Sequence, residues 1–145
     1  MARLANKVAL VTGAASEPGL GSSTARRFAE EGATVILTDL DLAGAQRVAQ
    51  SIRDNGGKAV AMEQNVASEA DWDAIMATIT ADHGGLDILV NNAGIAVLRT
   101  IEEFTTADWD KQLLVNLNSV FYGTKRAVVA MRAAGRKGSI VNISS

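Results

Sequence analysis

The 145-residue sequence contains no cysteine, which excludes disulfides, thiolate catalysis and cysteine-based metal sites and favours a cytoplasmic location. Its apolar runs are far shorter than the roughly 20 residues that a membrane helix needs. The N-terminus has no basic segment followed by an apolar stretch and a cleavage site, so no secretion signal is predicted. A net charge of −2 leaves no basic patch for nucleic acid. No group of residues has metal-ligand spacing, so no metal site is predicted.

Proline and aromatic residues are also scarce. The single proline, Pro18, lies among the glycines of an early loop, and no repeat, low-complexity tract or linker divides the chain. With 48% hydrophobic and 21% charged residues, the composition is that of an ordinary globular protein. The length suffices for one buried core, and we expect a single domain over residues 1–145.

Short apolar runs alternate with amphipathic segments along the whole chain. Five runs predict buried strands at 7–12, 33–39, 58–66, 86–94 and 139–143. The segments between them predict helices at 22–32, 41–57, 68–85 and about 106–134, with Asp41 and the Ser68–Asp71 pair as caps. This alternation predicts a Rossmann-like, doubly wound parallel α/β sheet with strand order 3-2-1-4-5. Ligands of such sheets bind beyond the carboxyl ends of the strands.

The first strand runs into a glycine-rich loop. Gly13 follows the strand, and Gly19 and Gly21 come directly before a helix. Glycine lets the backbone approach a phosphate closely, and the N-terminus of a helix attracts anions. The loop is not a P-loop, because no lysine follows the glycines, and it does not match G-x-G-x-x-G. A tight connection without a ligand is the alternative interpretation.

Asp39 ends the second strand, about 20 residues after the glycine loop, where a carboxylate accepts hydrogen bonds from an adenosine ribose. A 2′-phosphate would be repelled there, and neither the glycine loop nor residues 40–46 contain a basic side chain. These observations predict NAD as the cofactor and not NADP. Helix capping is the alternative role for Asp39, although Asp41 is equally well placed for it.

Four motifs resemble the short-chain dehydrogenase/reductase family in their order and spacing. They are TGAASEPGLG at 12–21, NNAG at 91–94, VNL at 115–117 and GSIVNISS at 138–145. The resemblance covers the whole chain, which looks like the N-terminal three-fifths of such a protein. It implies an NAD-dependent oxidoreductase that moves a hydride between nicotinamide and a secondary alcohol or ketone.

The resemblance also implies which residues contact the cofactor. Together with Asp39 they are Gly13, Ser16, Gly19, Leu20, Gly21, Asn65, Val66, Asn92, Ala93 and Gly94. The glycine loop is two residues longer than the family pattern. Asn65 stands where the family usually has an aspartate, and its side-chain oxygen can still accept a hydrogen bond from adenine. Asn91 fits a role in tying strands together, and for Asn91 and Asn92 buried backbone pairing is the alternative.

Two catalytic positions are predicted, Asn116 and Ser145. Asn116 follows Leu113 by three residues on the apolar face of a helix, where an unpaired amide costs about 1–3 kcal/mol, so it is locally satisfied or functional. By resemblance Asn116 holds a water of the proton relay, and Ser145 binds the reacting oxygen of the substrate. Neighbouring strand residues face opposite ways, so one of Ser144 and Ser145 faces the cleft, and register with the family favours Ser145.

The family's acid/base pair, a tyrosine followed four residues later by a lysine, is not found in the sequence. Tyr122 has a lysine three residues on, but it lies in the helix before the Ser145 strand, whereas the family pair lies in the helix after it. We therefore expect Tyr122 to pack. His83 is expected at the surface end of a helix, and Trp72 and Trp109 are expected to be packing residues.

The sequence stops at the end of a predicted central strand, so we expect the domain to be incomplete at its C-terminus. The 145-residue chain alone should bind NAD weakly and should not turn over. Two alternatives stay open. One is a non-catalytic or truncated NAD-binding module, and the other is an S-adenosylmethionine-dependent methyltransferase, which also uses a glycine loop and an acid after the second strand.

The resemblance further implies an assembly and a class of substrate. The long helix at about 106–134 would build a homodimer or homotetramer of the full-length protein. The substrate would be a small alcohol or ketone of unspecified identity, and neither nucleic acid nor a membrane is an expected partner.

Overall fold

A computed structural model of the chain describes residues 2–144. Five parallel strands form one sheet, namely β1 (Val8–Thr12), β2 (Thr34–Asp39), β3 (Lys58–Glu63), β4 (Ile88–Asn91) and β5 (Ser139–Asn142). Their order across the sheet is β3-β2-β1-β4-β5, so the predicted doubly wound fold is confirmed. β3 and β4 end three residues before their predicted ends. Residues 64–66 and 92–94 are therefore loops at the carboxyl edge.

Helices pack against both faces of the sheet. They are α1 (Leu20–Glu30), α2 (Leu42–Asp54), α3 (Glu69–His83), α4 (Thr106–Leu113) and α5 (Ser119–Ala133). A π-helical turn at Leu114–Asn118 joins α4 to α5 and interrupts the helix predicted from about 106 to 134. Among residues 2–144, none of the helices has the length and apolar character needed to cross a bilayer.

Two of the helix starts follow the predicted capping. The Asp41 carboxylate accepts the Gly44 N–H at 2.9 Å before α2, and the Ser68 hydroxyl accepts the Asp71 N–H at 3.2 Å before α3. Each bond satisfies a backbone donor that the first helical turn leaves without a partner.

The core consists of two apolar layers, one on each face of the sheet. Successive residues of a strand point to opposite faces, so Ala9 and Val11 pack in the layer under α1 and α2, whereas Val8 and Leu10 pack in the layer under α3 and α5. Burial on both faces explains why the strands are almost continuously apolar.

The buried face of α5 carries mostly small side chains, whereas its bulky apolar residues Phe121 and Val129 face outward. Leu117 of the π-helical turn and Phe121 of α5 are each 61% exposed. A Cβ on Gly123 would lie 2.5 Å from Cη2 of Trp72, so α5 lies too close to α3 to accommodate a larger side chain there. The buried face carries residues four apart, namely Ser119, Gly123, Ala127 and Met131.

The two tryptophans have different environments. Trp72 is fully buried, and its indole N–H donates to the Val66 carbonyl at 2.8 Å, which confirms its packing role. Trp109 is 56% exposed, and none of the other residues of α4 is buried either. The packing role predicted for Trp109 is therefore wrong.

At the amino edge of the sheet, the buried carboxylate of Asp87 joins three segments. It accepts the Val8 N–H at 2.9 Å and the Arg136 guanidinium at 2.8 Å, and Lys7 lies 3.5 Å away. Arg136 also donates to the Gly85 and His83 carbonyls at the end of α3. Asp87 thus fixes the starts of β1 and β4 against the segment that leads into β5.

We predict that Asp87→Ala lowers the free energy of unfolding by about 2–3 kcal/mol, because it leaves the Val8 N–H and the Arg136 guanidinium without their acceptor. Urea denaturation measures this change. Asp82→Ala, at an exposed position of α3, is the control and should change stability by less than about 0.5 kcal/mol. Equal losses in the two variants would contradict the role of Asp87.

Candidate functional site

The loops after β1 to β4 enclose a cleft at the carboxyl edge of the sheet, which we call the Asp39 cleft. Its volume is about 470 Å³. The residues that line it are Gly13, Asp39, Leu40, Gln64, Asn65, Val66, Ala67, Ala93, Gly94, Ile95, Lys111, Leu114 and Val115. Six predicted cofactor-binding residues are among them, so the structure brings most of the predicted site together.

A second cleft of about 490 Å³, the Asn116 cleft, adjoins the first and shares residues 93–95 with it. Its lining residues are Leu20, Asn91, Asn92, Ala93, Gly94, Ile95, Ala96, Asn116, Val120, Ile143 and Ser144. Ser144 therefore borders the cleft. Ser145, the predicted catalytic serine, lies outside the described residues, and its role stays a prediction.

The glycine loop is packed so closely that its glycines cannot carry a side chain without displacement. A Cβ on Gly13, whose φ is +64°, would lie 2.7 Å from the Ala93 Cα. A Cβ on Gly21 would lie 2.3 Å from the Gly13 carbonyl oxygen, and one on Gly19 would lie 2.6 Å from that of Ser16. These contacts explain the spacing of the three glycines.

The two additional residues of the loop, Glu17 and Pro18, are exposed. The Glu17 carboxylate pairs with Arg26 of α1, so the longer loop folds back on its own helix. Ser16 and Leu20 are also exposed, and the Ser16 carbonyl accepts the Ser22 hydroxyl at 2.7 Å. The first turn of α1, which begins at Leu20, has no side-chain cap, so its N–H groups are open to an anion.

Asp39 holds the glycine loop from the β2 side. Its carboxylate accepts the Ala15 N–H at 3.0 Å and the Asp41 N–H at 3.1 Å. A carboxylate has about four acceptor positions, so two remain for ribose hydroxyls. Asp41 and not Asp39 caps α2, which removes the capping role weighed for Asp39 from the sequence.

Asn92 holds the same loop from the β4 side. Its side-chain amide donates to the Thr12 and Gly13 carbonyls, both at 2.9 Å. In return, the Thr12 hydroxyl accepts the backbone N–H groups of Asn92 at 3.1 Å and Ala93 at 3.0 Å. Asn92 thus uses its amide for backbone pairing, the alternative that the sequence left open, while Ala93 and Gly94 line both clefts.

Asn91 ties β4 to β5, as predicted. Its side-chain amide donates to the Asn142 side-chain oxygen at 2.9 Å and lies 3.4 Å from the Thr124 hydroxyl.

The segment after β3 is fixed by Asp71. Its carboxylate accepts the Asn65 N–H at 2.8 Å and the Ser68 hydroxyl at 2.8 Å, and these hydrogen bonds lower the pKa of Asp71 below its usual value. The Asn65 side-chain oxygen accepts the Ala67 N–H at 3.0 Å. One acceptor position of that oxygen remains for the predicted adenine contact.

Asn116 lies in the π-helical turn and is exposed, so its expected place on the buried apolar face is wrong. Val115 of the same turn packs against the apolar layer under α3 and α5, whereas Asn116 faces the loop after β4. The Asn116 side-chain oxygen accepts the Ile95 N–H, and its nitrogen donates to the Ile95 carbonyl, both at 2.8 Å. The amide is therefore satisfied locally, and it fixes residues 94–96 beside the cleft.

Two polar residues of the Asp39 cleft were missed from the sequence. Lys111 reaches the cleft from α4. Gln64 is 1% exposed, and neither polar atom of its side-chain amide has a hydrogen-bond partner among residues 2–144. A buried amide without partners costs about 1–3 kcal/mol. The only sequence signal for Gln64 was a polar residue directly before Asn65.

Tyr122 and His83, which the sequence analysis excluded from catalysis, both have structural contacts. Tyr122 packs against the apolar layer under α3 and α5, with its ring 6.0 Å from that of Phe121, as predicted. His83 ends α3, and Gly84 follows in the left-handed conformation with φ +71°.

A parallel sheet with order β3-β2-β1-β4-β5, a glycine loop after β1 and an acid after β2 define a dinucleotide-binding type of α/β protein. The family model for short chain dehydrogenases matches residues 7–145. The chain belongs to the short-chain dehydrogenase family.

The relatives and solved structures agree with this assignment. A cyclopentanol dehydrogenase of Comamonas testosteroni is 41% identical over 145 residues, which are 100% of this chain and 57% of the relative. A crystal structure of a Burkholderia xenovorans protein assigned to the short-chain dehydrogenases/reductases has a TM-score of 0.94 at 39% identity, over 100% of this chain and 58% of that one.

A metagenomic short-chain oxidoreductase in complex with NADP has a TM-score of 0.91 at 35% identity, over 99% of this chain and 64% of that one. The chain thus spans less than two thirds of the length of these relatives.

We predict that Asn92→Ala loosens the glycine loop, because the Thr12 and Gly13 carbonyls lose their side-chain donor. Hydrogen–deuterium exchange should become faster across residues 12–16. Asn55→Ala is the matched control, since Asn55 donates to the Ser51 carbonyl at the exposed end of α2. Unchanged exchange of the loop in Asn92→Ala would contradict this role.

Proposed function

We propose that the chain forms the dinucleotide-binding part of an NAD-dependent oxidoreductase, which transfers a hydride between C4 of nicotinamide and the carbon of a secondary alcohol or ketone. The observation that carries the proposal is the glycine loop, held by Asp39 on one side and by Asn92 on the other. The name of the Comamonas relative supports the reaction class, because cyclopentanol is a secondary alcohol.

The glycine loop fits the pyrophosphate of a dinucleotide. Gly13, Gly19 and Gly21 keep side chains away from its backbone, and the uncapped first turn of α1 offers N–H groups to an anion. Asp39 has acceptor positions left for the adenosine ribose, and Asn65 and Val66 border the same cleft. NAD, when bound, supplies the acceptor of the hydride.

At the reacting end, we propose that Asn116 holds a water of the proton relay and that Ser145 binds the reacting oxygen of the substrate. Two hydrogen bonds to Ile95 keep Asn116 in one orientation at the edge of its cleft, which supports a positioning task. Tyr122 is not proposed as the acid/base, because it packs against the core layer. The 145 residues thus contain no Tyr-x-x-x-Lys pair for proton transfer.

A titration of the 145-residue chain with NAD and with S-adenosylmethionine tests this proposal. We expect weak NAD binding, no S-adenosylmethionine binding, and no NADH formation with added secondary alcohols. Binding of S-adenosylmethionine alone would favour the methyltransferase alternative, against which the family match argues. Robust NADH formation would contradict our assignment of proton transfer to residues outside these 145.

A non-catalytic dinucleotide-binding module is the second candidate, because the glycine loop and Asp39 would serve binding alone. The sequence encoded after Ser145 distinguishes the two candidates. A Tyr-x-x-x-Lys motif encoded downstream of Ser145 would exclude the non-catalytic module, and its absence there would exclude the oxidoreductase.

We further propose that the cofactor is NAD and not NADP. The carboxylate of Asp39 would repel a 2′-phosphate on the ribose that it contacts. Two arginines near the cleft are paired with acids, since Arg47 lies 3.8 Å from Asp41 and Arg26 pairs with Glu17. Lys111 borders the same cleft, and the metagenomic neighbour is in complex with NADP, so the ratio of the two affinities is the measurement that distinguishes the cofactors.

We predict that Asp39→Asn reduces the preference for NAD over NADP by about tenfold or more, because it removes the charge that opposes the 2′-phosphate. Competition binding at low ionic strength measures the ratio of the two affinities. Asp54→Asn makes the same charge change at the exposed end of α2 and should leave the ratio unchanged. An unchanged ratio in Asp39→Asn would refute the proposed preference.

We also propose a homodimer or homotetramer of the full-length protein, built through the helical segment from α4 to α5. The outward apolar side chains of Leu117, Phe121 and Val129, each more than 60% exposed, support it. A small alcohol or ketone is the proposed substrate. The cysteine-free sequence supports a cytoplasmic location.

A further inference from the structure

Gln64 is a buried residue of the Asp39 cleft whose side chain has no assigned task. It directly follows β3 and is 1% exposed, yet it borders the cleft together with Asp39 and Asn65. Among residues 2–144, neither its side-chain oxygen nor its side-chain nitrogen has a hydrogen-bond partner. Buried amides are nearly always paired, so an unpaired one beside a cleft calls for a partner from outside the chain.

The backbone of Gln64 is fixed, whereas no hydrogen bond within residues 2–144 fixes its side chain. Its backbone N–H donates to the Asp39 carbonyl at 3.0 Å, which extends the pairing of β2 with β3 by one residue. Rotation of the side chain into the cleft would break no hydrogen bond, because the amide makes none.

The chemistry of a primary amide matches adenine. The amide offers one donor and one acceptor side by side, and the major-groove edge of adenine presents the complementary pair, its 6-amino group and N7. A 6-oxo purine such as hypoxanthine presents two acceptors, O6 and N7, on that edge and loses this match. The side-chain oxygen of the neighbouring Asn65 already accepts the Ala67 N–H, which occupies one of its two acceptor positions.

We propose that Gln64 turns into the Asp39 cleft and hydrogen-bonds the adenine of the bound dinucleotide, and thereby selects adenine over 6-oxo purines. This inference rests on the proposed function. Gln64 would thus recognise adenine in addition to the hydrogen bond predicted for Asn65.

Calorimetric titration of the 145-residue chain with NAD and with nicotinamide hypoxanthine dinucleotide tests the proposal. The unsubstituted chain should bind NAD about tenfold more tightly than the hypoxanthine analogue. Gln64→Met has a side chain of similar length without the amide, and it should reduce this ratio to about threefold or less. Gln50→Met, at an exposed position of α2, is the matched control and should keep the full ratio.

A second measurement does not depend on the folding of a variant. In the ¹⁵N-labelled unsubstituted chain, the Gln64 side-chain NH₂ signals should shift when NAD is added, and should shift less with the hypoxanthine analogue. Unmoved signals on NAD binding would overturn the proposal, as would a full ratio in folded Gln64→Met. A folded chain that binds neither dinucleotide would instead refute the proposed function, and this inference with it.

Discussion

The structure of the site depends on the hydrogen bonds that join the carboxyl ends of β1 and β4. The Thr12 hydroxyl accepts two N–H groups from the β4 side, and the Asn92 amide donates to two carbonyls on the β1 side. These bonds bring Gly13 so close to Ala93 that no side chain fits between them. The glycine loop therefore has a defined position before any ligand arrives, which lowers the entropic cost of binding.

Hydrogen bonds and ion pairs at the opposite, amino edge of the sheet stabilise the fold. Asp87, Arg136 and Lys7 are grouped there, far from the clefts, and they connect the amino ends of the central strands. The small side chains on the buried face of α5 also contribute to stability, because they let the helix lie close against Trp72. Packing and ion pairing thus hold the frame rigid, while the carboxyl edge keeps groups open for a ligand.

The sequence predicted features that depend on local pattern. Buried strands have apolar runs, and Asp41 and Ser68 stand where helices begin, so the fold, its strand order and these caps were predicted correctly. Several features that depend on how helices pack against each other and against the sheet were not predicted. The exposure of Asn116 follows from the π-helical turn, and the exposure of Phe121 follows from the close approach of α5 to α3 at Gly123. Lys111 reaches the cleft only because α4 returns over the sheet edge.

The central claim is that the carboxyl edge of the sheet binds a dinucleotide. Mapping of backbone amide shifts in the ¹⁵N-labelled chain on addition of NAD tests it most directly. The account predicts that the largest shifts fall in residues 13–21, 39–41, 64–66 and 92–95, with little change at the amino edge around Asp87. Shifts concentrated elsewhere, for example in the groove between α3 and α5, would contradict it.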